Sequence, residues 1–178
     1  MKVLALIFDG FEEEEAIAPF DILKRAGVSL TIASNNTTVT SSHQFKLTDI
    51  ANINDINYKE YDALFIPGGP HYKFLYTYEY GHEIIRYFFL NNKYVFGICA
   101  APTLFGRLGF LKNKKYTCFT SMNDDFGGTF TNQGVCKDGL LITAKSVAYS
   151  LDFAYEMVLA LMGKEVLNKV LDSIYYEK

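Results

Sequence analysis

Apolar runs of strand length alternate along this chain with longer amphipathic segments, and this alternation predicts a parallel β-sheet. Continuous apolar runs of four to eight residues are typical of strands that are buried on both faces. The predicted strands are Val3–Phe8, Ser29–Ala33, Ala63–Gly69 (which ends in a glycine turn), Tyr94–Ile98, Tyr116–Phe119, Gly134–Lys137 and Leu140–Ala144. The predicted helices are Glu12–Ala26, Glu79–Asn91, Ala101–Leu108, Val147–Met162 and Glu165–Tyr175. This order favours a single α/β domain over residues 1–178, with a mostly parallel central sheet and helices on both faces.

Glycine and polar turn residues mark the ends of these elements. Val39–Leu47 predicts a short hairpin, and Asp138 and Gly139 form a turn signal between the last two strands. Gly27 is expected to end the first helix, and Gly163 to separate the last two helices.

Cys99 stands where the fourth predicted strand ends and a helix begins. A strand, a cysteine and a helix in direct succession indicate a nucleophile elbow, in which the reactive atom sits at a sharp turn. Pro102 suits the first turn of that helix, where a missing N–H costs nothing. Because a helix N-terminus presents unpaired N–H groups and a positive dipole end, we expect the pKa of the thiol to fall.

Two further segments are expected beside Cys99, because parallel strands bring their carboxyl ends to one edge of the sheet. Gly68 and Gly69 could offer backbone N–H groups to an anion, or could simply form a turn. Glu15 closes a run of four glutamates at a helix start, where negative charge is favourable without any catalytic role. Pro19 cannot donate to the Glu15 carbonyl, so we expect an irregular helix that lets Glu15 turn inward. Burial near a thiolate would raise the pKa of this carboxyl and let it donate to the sulfur.

The chain offers no obvious histidine base for the thiol. His43 falls in the predicted hairpin, His82 lies on a helix face, and His71 follows the glycine turn, from which it could approach the site. None of the three follows Cys99. This disfavours an amide hydrolase with a Cys-His-acid triad, because such an enzyme needs a histidine to activate its thiol.

Two other features leave their roles open. Cys118 could be a small buried hydrophobe, or it could tune or resolve the oxidation of Cys99, whereas Cys136 is expected to be structural. An aromatic run at every second position could belong to the core, to a partner surface or to a pocket lid; its members are Tyr72, Phe74, Tyr76, Tyr78 and Tyr80.

Composition narrows the class of partner and compartment. A net charge of −3 and a pI near 5.6 give no electrostatic reason for nucleic-acid binding. No apolar run reaches the length of a membrane span, and the apolar start is too short for a signal peptide. Three cysteines, an odd number, favour a reducing compartment. We therefore expect a cytoplasmic protein with neither a nucleic-acid nor a membrane partner.

Five segments, taken in order, resemble the ThiJ/PfpI superfamily, and most closely its small DJ-one-like (Parkinsonism-associated deglycase-like) branch. They are Phe8–Pro19, Phe65–Gly69, Ile98–Thr103, Lys137–Thr143 and Leu161–Val166. The resemblance covers nearly the whole chain, and its Glu, Gly-Gly and Cys elements are specific only in combination. It implies a flavodoxin-like three-layer sandwich and a homodimer.

The resemblance also implies a site and a chemistry. It implies an oxidisable Cys99 that is hydrogen-bonded to a protonated Glu15, with an anion or oxyanion site formed by the backbone N–H groups of Gly69 and Ala100. The implied activity is glyoxalase or deglycase action on a small reactive carbonyl such as methylglyoxal, with no metal and no organic cofactor. Its alternatives are redox sensing of peroxide or chaperone-like protection, a role in thiazole monophosphate biosynthesis, and amidase or peptidase action.

Three departures from the family pattern bear on that chemistry. Ala100 stands where the peptidase branch places a histidine, which counts against peptide hydrolysis. Cys118 aligns with a histidine of the best-known deglycase relatives, and residues 145–150 replace a loop that contains Gly-Pro. These two differences leave the substrate open.

Overall fold

A seven-stranded sheet with helices on both faces forms the centre of the computed structural model, which describes residues 1–176. The last two residues of the predicted domain 1–178 lie outside the described part. The strands are β1 Lys2–Leu6, β2 Ser29–Ser34, β3 Val39–Thr40, β4 Lys46–Leu47, β5 Ala51–Asn52, β6 Ala63–Ile66, β7 Tyr94–Ile98, β8 Lys115–Tyr116, β9 Thr129–Phe130, β10 Val135–Asp138 and β11 Leu141–Ala144. The helices are α1 Glu13–Arg25, α2 Tyr72–Leu75, α3 Glu79–Leu90, α4 Ala101–Arg107, α5 Ser150–Met162 and α6 Lys164–Ser173.

The strand order is that of a flavodoxin-like fold. The sheet runs β10-β11-β7-β6-β1-β2-β5, and only the edge strand β10 is antiparallel to its neighbour. Its five long parallel strands are β1, β2, β6, β7 and β11, which lie in the chain order 2-1-3-4-5 typical of flavodoxin-like sheets. The predicted α/β class is confirmed. In such a sheet the strand order reverses between β1 and β6, and ligands bind at the carboxyl ends of the strands there.

Alternating side chains of the strands pack into two separate hydrophobic cores, one on each face of the sheet. In β1 and just after it, Val3, Ala5 and Ile7 face a layer formed by α1, α5 and α6, whereas Leu4 and Leu6 face a layer with α3 and α4. Successive strand residues point to opposite faces, so an uninterrupted apolar run fills both cores. The sheet is therefore covered on both sides, and its carboxyl edge remains as the place for a site.

The structure confirms both predicted hairpins and corrects two other elements. β3 pairs antiparallel with β4, and β10 with β11. The predicted strand Tyr116–Phe119 was wrong in extent: only Lys115–Tyr116 pairs, because the Thr117 N–H donates to the side chain of Thr143 at 2.9 Å. The helix predicted from Val147 begins instead as a 3₁₀ turn, and the α-helix starts at Ser150.

The aromatic run lies at the border of the second core. Tyr76, Tyr78 and Tyr80 pack against that core, whereas Phe74 is 40% exposed and stacks on Tyr78 at 4.8 Å between ring centroids. The run thus closes the edge of a core around the short helix α2. In the part of the chain that the structure describes, no helix is both long enough and apolar enough to cross a bilayer.

Candidate active site

Cys99 occupies a strained turn between β7 and α4. Its φ is 62°, in the left-handed region that non-glycine residues rarely adopt and that costs about 1–3 kcal/mol. The Cys99 N–H donates to the Ala144 carbonyl at 2.9 Å, which continues the pairing of β7 with β11 into the turn. Pro102 lies in the first turn of α4, as predicted. The strand, turn and helix of a nucleophile elbow are all present.

Glu15 reaches the thiol from the first turn of α1. Its side chain is 1% exposed, although it belongs to a run of four glutamates. The helix continues through Pro19, and the irregularity predicted there is not needed to explain this burial. Glu15 instead shares the buried face of α1 with Pro19, Ile22 and Leu23, at helical spacings of four, seven and eight residues. The apolar stripe of the helix therefore turns this one carboxyl inward.

Glu15 is held in place by the thiol and by two backbone donors. Its Oε2 accepts the Gly68 N–H at 3.0 Å, and the Cys99 thiol and the Val147 N–H lie close enough to lower the pKa of this carboxyl. Gly68 has to be a glycine here, because a Cβ would collide with that Oε2 and would lie 2.5 Å from the Cys99 Cβ. The N–H of Gly68 therefore serves Glu15 and is not free for a substrate.

Two other backbone N–H groups point at the sulfur. The N–H groups of Gly69 and Ala100 lie beside the Cys99 thiol and act to lower its pKa. Gly69 has a φ of 98°, and a Cβ there would lie against the backbone of Glu12 and Gly10, so only glycine fits. The site thus has the pair of N–H donors that can hold an anionic sulfur or oxygen.

The acid–base properties of the pair differ from the sequence expectation. Burial raises the pKa of Glu15 to about 7, and the charge of Glu12 adds to this, against hydrogen bonds from Cys99, Gly68 and Val147 that lower it. Burial and the nearby Glu15 also raise the pKa of the Cys99 thiol, although the Ala100 and Gly69 N–H groups lower it. The prediction that the thiol pKa falls was therefore wrong.

The two groups titrate as a coupled pair. When Glu15 holds a proton, its charge no longer opposes the thiolate and its O–H can donate to the sulfur. The two protons therefore come off in two steps, and the pKa of each step belongs to the pair and not to either residue alone.

His71 is buried close to the glycine turn, but both of its ring nitrogens are already bonded. Nδ1 accepts the Phe8 N–H at 3.3 Å, and Nε2 pairs with the Pro67 carbonyl at 2.9 Å. Burial lowers the pKa of His71 to about 4, so the ring is neutral. His71 ties β1 to the turn after β6 and offers no free nitrogen to a substrate.

The backbone segment that contains Cys118 is hydrogen-bonded to Cys99, but the Cys118 thiol contacts other groups. The Phe119 N–H donates to the Cys99 carbonyl at 2.8 Å. The Cys118 sulfur instead lies 3.6 Å from the Phe119 carbonyl and 4.0 Å from the Asn123 Oδ1. Burial raises its pKa to about 11. The site therefore holds one thiol.

A chain of hydroxyl groups supports the first turn of α4, directly after Cys99. The Thr103 hydroxyl donates to the Ala100 carbonyl at 2.7 Å, and the Tyr76 hydroxyl lies 2.6 Å from that of Thr103. The Arg107 guanidinium covers the Tyr76 ring at 4.1 Å from its centroid. These contacts hold the first turn of α4 in place, and with it the position of the Ala100 N–H.

The residues that could hold a metal ion lie at the rim of the site. Glu12, Glu13 and His43 place their ligand atoms within 4.8 Å of one another. The His43 Nδ1 is 2.7 Å from the Glu13 Oε1, and the Ser42 hydroxyl donates to Glu12 at 2.7 Å. Hydrogen bonds among the His43 ring, the Ser42 hydroxyl and the two carboxyl groups account for this arrangement, and the absence of a metal stays a prediction.

Sequence reasoning missed Val147, Thr103 and Tyr76. Val147 could have been found from topology, because β11 ends beside β7 and the next loop must start at the same edge. Thr103 could have been found from its place one turn into α4, from which a hydroxyl can reach back to the carbonyl three residues earlier. No local pattern marks Tyr76, whose contact with Thr103 is purely tertiary.

Comparisons with known proteins agree with this geometry. A family model described as the DJ-1/PfpI family matches residues 1–160. The deglycase PfpI of Pyrococcus furiosus is 31% identical over 149 residues, which cover 82% of this chain and 90% of the relative. The DJ-1 homolog B of Arabidopsis thaliana is 32% identical over 169 residues, which cover 92% of this chain. Those residues amount to only 39% of the Arabidopsis relative.

Solved structures show the same architecture over the whole chain. Drosophila melanogaster DJ-1beta superposes with a TM-score of 0.92 at 25% identity, covering 99% of this chain and 98% of that one. Oxidized DJ-1 of Toxoplasma gondii superposes with a TM-score of 0.90 at 22% identity, covering 99% of each chain. At such low identity the second likeness speaks for the fold alone.

Proposed function

This chain belongs to the DJ-1/PfpI family. From that membership and from the surroundings of Cys99, we propose that it is a cysteine-dependent stress protein that converts small reactive carbonyls. The observation that carries the proposal is the contact between buried Glu15 and half-buried Cys99, with the N–H groups of Gly69 and Ala100 beside the sulfur. Deglycase is also the name of the Pyrococcus relative.

The first step is addition of the thiol to an α-oxoaldehyde. The Cys99 sulfur forms a bond to the aldehyde carbon, and the π electron pair of the carbonyl moves onto its oxygen. The thiol proton passes through Glu15 to that oxygen and gives a hemithioacetal. The N–H groups of Gly69 and Ala100 stabilise the negative charge while it develops.

Glu15 then moves a second proton. Its carboxylate removes the proton from the carbon bound to sulfur, which gives an enediol as the neighbouring carbonyl oxygen gains a proton. Return of the first proton to the neighbouring carbon, with loss of the proton from the hemithioacetal hydroxyl, then gives a thioester. Water releases a 2-hydroxy acid and restores the thiol, so no oxidant or cofactor is consumed. A pKa of about 7 suits this shuttle, because a group that titrates near the working pH both accepts and donates.

The test is conversion of methylglyoxal to lactate by the wild-type chain, by Cys99→Ala and by Cys118→Ala. We expect Cys99→Ala to lose turnover and Cys118→Ala to keep it, because the Cys118 sulfur has no carboxyl partner. Equal rates from the wild type and Cys99→Ala would eliminate the mechanism.

A non-enzymatic redox sensor is the second candidate, and the same N–H groups favour it. Oxidation of Cys99 by peroxide to a sulfinate would place anionic oxygens where Gly69, Ala100 and a protonated Glu15 can donate to them. Intact mass after graded peroxide tests this. Oxygen added to Cys118 or Cys136 but not to Cys99 would rule the sensor out.

Amide hydrolysis has less support. In residues 1–176, none of the three histidines hydrogen-bonds to Cys99; His71 and His82 are bonded to backbone carbonyls, and His43 is paired with Glu13. An imidazole that activates the thiol and protonates the leaving amine, as cysteine amide hydrolases use, is therefore missing beside Cys99 in these residues. Turnover of glutamine or peptide amides would contradict this reading.

We also propose that the chain forms a homodimer. Exposed apolar side chains on α1 and on the segment that opens α5 support this: Ile17, Val147 and Leu151 are each more than 40% exposed, and the two helices pack against each other. Light scattering at micromolar concentration should give twice the monomer mass. A monomer mass, or no effect of Leu151→Glu relative to the distant control Leu90→Glu, would count against it.

A further inference from the structure

A cavity that is separate from the Cys99 site lies between α5 and α6. It has a volume of about 510 Å³ and is closed on one side by the segment at Gly134, where a Cβ would collide with the Tyr149 ring. Leu167 and Leu171 of α6 form its apolar wall. The size fits a small organic molecule.

The charge of this cavity is entirely negative. Asp152 and Glu156 line it, and its lining contains no lysine, arginine or histidine. Among the ion pairs of the described residues, none includes either carboxylate. Like charges four residues apart on a helix repel each other, and the position of Asp152 in the first turn of α5 offsets that cost only in part.

Tyrosine rings surround the two carboxylates. Tyr149, Tyr155 and Tyr176 all line the cavity, and the rings of Tyr155 and Tyr176 meet at 5.6 Å between centroids. The Tyr155 hydroxyl oxygen is buried and has no hydrogen-bond partner among residues 1–176. Aromatic faces beside carboxylates are the surroundings in which proteins bind quaternary ammonium groups, because the ring faces are negative and the ligand needs no hydrogen bond.

We propose that the cavity between α5 and α6 binds a small organic cation of the quaternary ammonium class, through the carboxylates of Asp152 and Glu156 and the rings of Tyr149, Tyr155 and Tyr176. The cation would neutralise the two carboxylates while its methyl groups contact the tyrosine rings. This site is independent of the carbonyl chemistry proposed for Cys99.

Choline and its neutral carbon isostere, 3,3-dimethyl-1-butanol, test the proposal on the full chain by calorimetric titration. The two molecules have nearly the same shape and differ by one positive charge. We expect saturable 1:1 binding of choline and affinity at least about tenfold weaker for the isostere, since the charge contributes to every contact named. Equal affinity for both molecules would overturn the proposal.

Matched variants locate the site. The double variant Asp152→Asn with Glu156→Gln should weaken choline binding by about tenfold or more. Thermal unfolding of the same double variant should stay close to that of the wild type, because loss of the like-charge pair and loss of Asp152 from the first turn of α5 have opposite effects. Weaker binding could then not be ascribed to unfolding. The control Glu165→Gln with Asp172→Asn changes two α6 side chains that do not line the cavity and should leave binding unchanged. Choline binding that is insensitive to the α5 pair, or that disappears in Cys99→Ala, would contradict the assignment.

Discussion

Cys99 and Cys118 lie on backbone segments that are joined by one hydrogen bond, yet the surroundings of their two thiols are opposite. The Phe119 N–H that follows Cys118 donates to the Cys99 carbonyl at 2.8 Å. Cys99 sits at a φ of 62° between a carboxyl and two N–H donors. Cys118 is fully buried beside two oxygen acceptors and has no donor directed at it.

The contrast shows that the burial of a thiol and its activation for reaction have different causes. Burial raises the pKa of both thiols, so burial alone does not distinguish a reactive sulfur from an inert one. What distinguishes Cys99 is a neighbour that can take and return a proton, together with N–H groups placed where charge develops. A helix N-terminus by itself was a poor guide, because the carboxyl beside it reverses the expected shift of the thiol pKa.

Removing the carboxyl should have the largest effect on this contrast. Glu15→Gln keeps a side chain that can accept from Gly68 and donate to sulfur, but it cannot shuttle a proton. We expect methylglyoxal turnover to fall by about 10²–10⁴-fold, the usual contribution of a general acid–base group. Glu14→Gln, which changes an exposed neighbour on the same helix, is the control and should keep full turnover.

The same substitution has a second readout in stability. Because the pKa of Glu15 is raised from 4.5 to about 7, the folded chain holds this proton more tightly than the unfolded chain does. Stability from this group is full below about pH 4.5 and is lost as pH rises towards 7, by up to about 3 kcal/mol. Urea unfolding between pH 4.5 and 8 should show a steeper decline for the wild type than for Glu15→Gln. Parallel curves would mean that Glu15 titrates normally.

A substitution at Gly68 that fills the space between Glu15 and Cys99 should have the next largest effect on turnover. Gly68→Ala places a Cβ against both side chains, so it separates the pair. We expect turnover to fall by about 10²-fold, as a misplacement of about 1 Å can do, and Cys118 to be unaffected. Gly139→Ala is the control, because its φ of 61° makes it strained as well, although no atom lies near its Cβ. A comparable loss in both variants would ascribe the effect to instability.

Alkylation rates should compare the two thiols directly. With limiting iodoacetamide at pH 8, we expect Cys99 to react about 100-fold faster than Cys118, because Cys118 is fully buried and must wait for local opening. Peptide mapping by mass spectrometry gives both rates in one sample. Similar rates would show that the elbow does not select Cys99.

The hydroxyl brace should contribute least. Thr103→Val removes the donor to the Ala100 carbonyl and the partner of Tyr76, and we expect a loss of about 1 kcal/mol in stability. Alkylation of Cys99 should slow by a few-fold, since the Ala100 N–H becomes less well fixed. Thr117→Val removes a matched buried hydroxyl bond to Gln133 on the Cys118 side and should leave the rate of Cys99 unchanged.

Local patterns in the sequence went far towards the fold. Buried strands such as Val3–Phe8 and Tyr94–Ile98 were evident as apolar runs, and the Asp138-Gly139 turn marked a hairpin that the structure confirms. The strand predicted over Tyr116–Phe119 failed, because the Thr117 N–H bonds to a threonine hydroxyl 26 residues away. No pattern in the segment itself could indicate that partner.

The sequence by itself determined the elbow at Cys99, the glycines at 68 and 69, the inward place of Glu15 on its helix and the scarcity of histidine. These follow from spacing within one segment, where strand and helix geometry set the distances. The tertiary structure alone decided that Val147 holds Glu15, that Tyr76 braces the elbow, that His71 is occupied and that the thiol pKa rises. Those outcomes depend on which strands are neighbours and on how much water is excluded from the carboxyl edge of the sheet. The energy of a buried charge depends on its neighbours and on the water around it, and both are set by the tertiary structure.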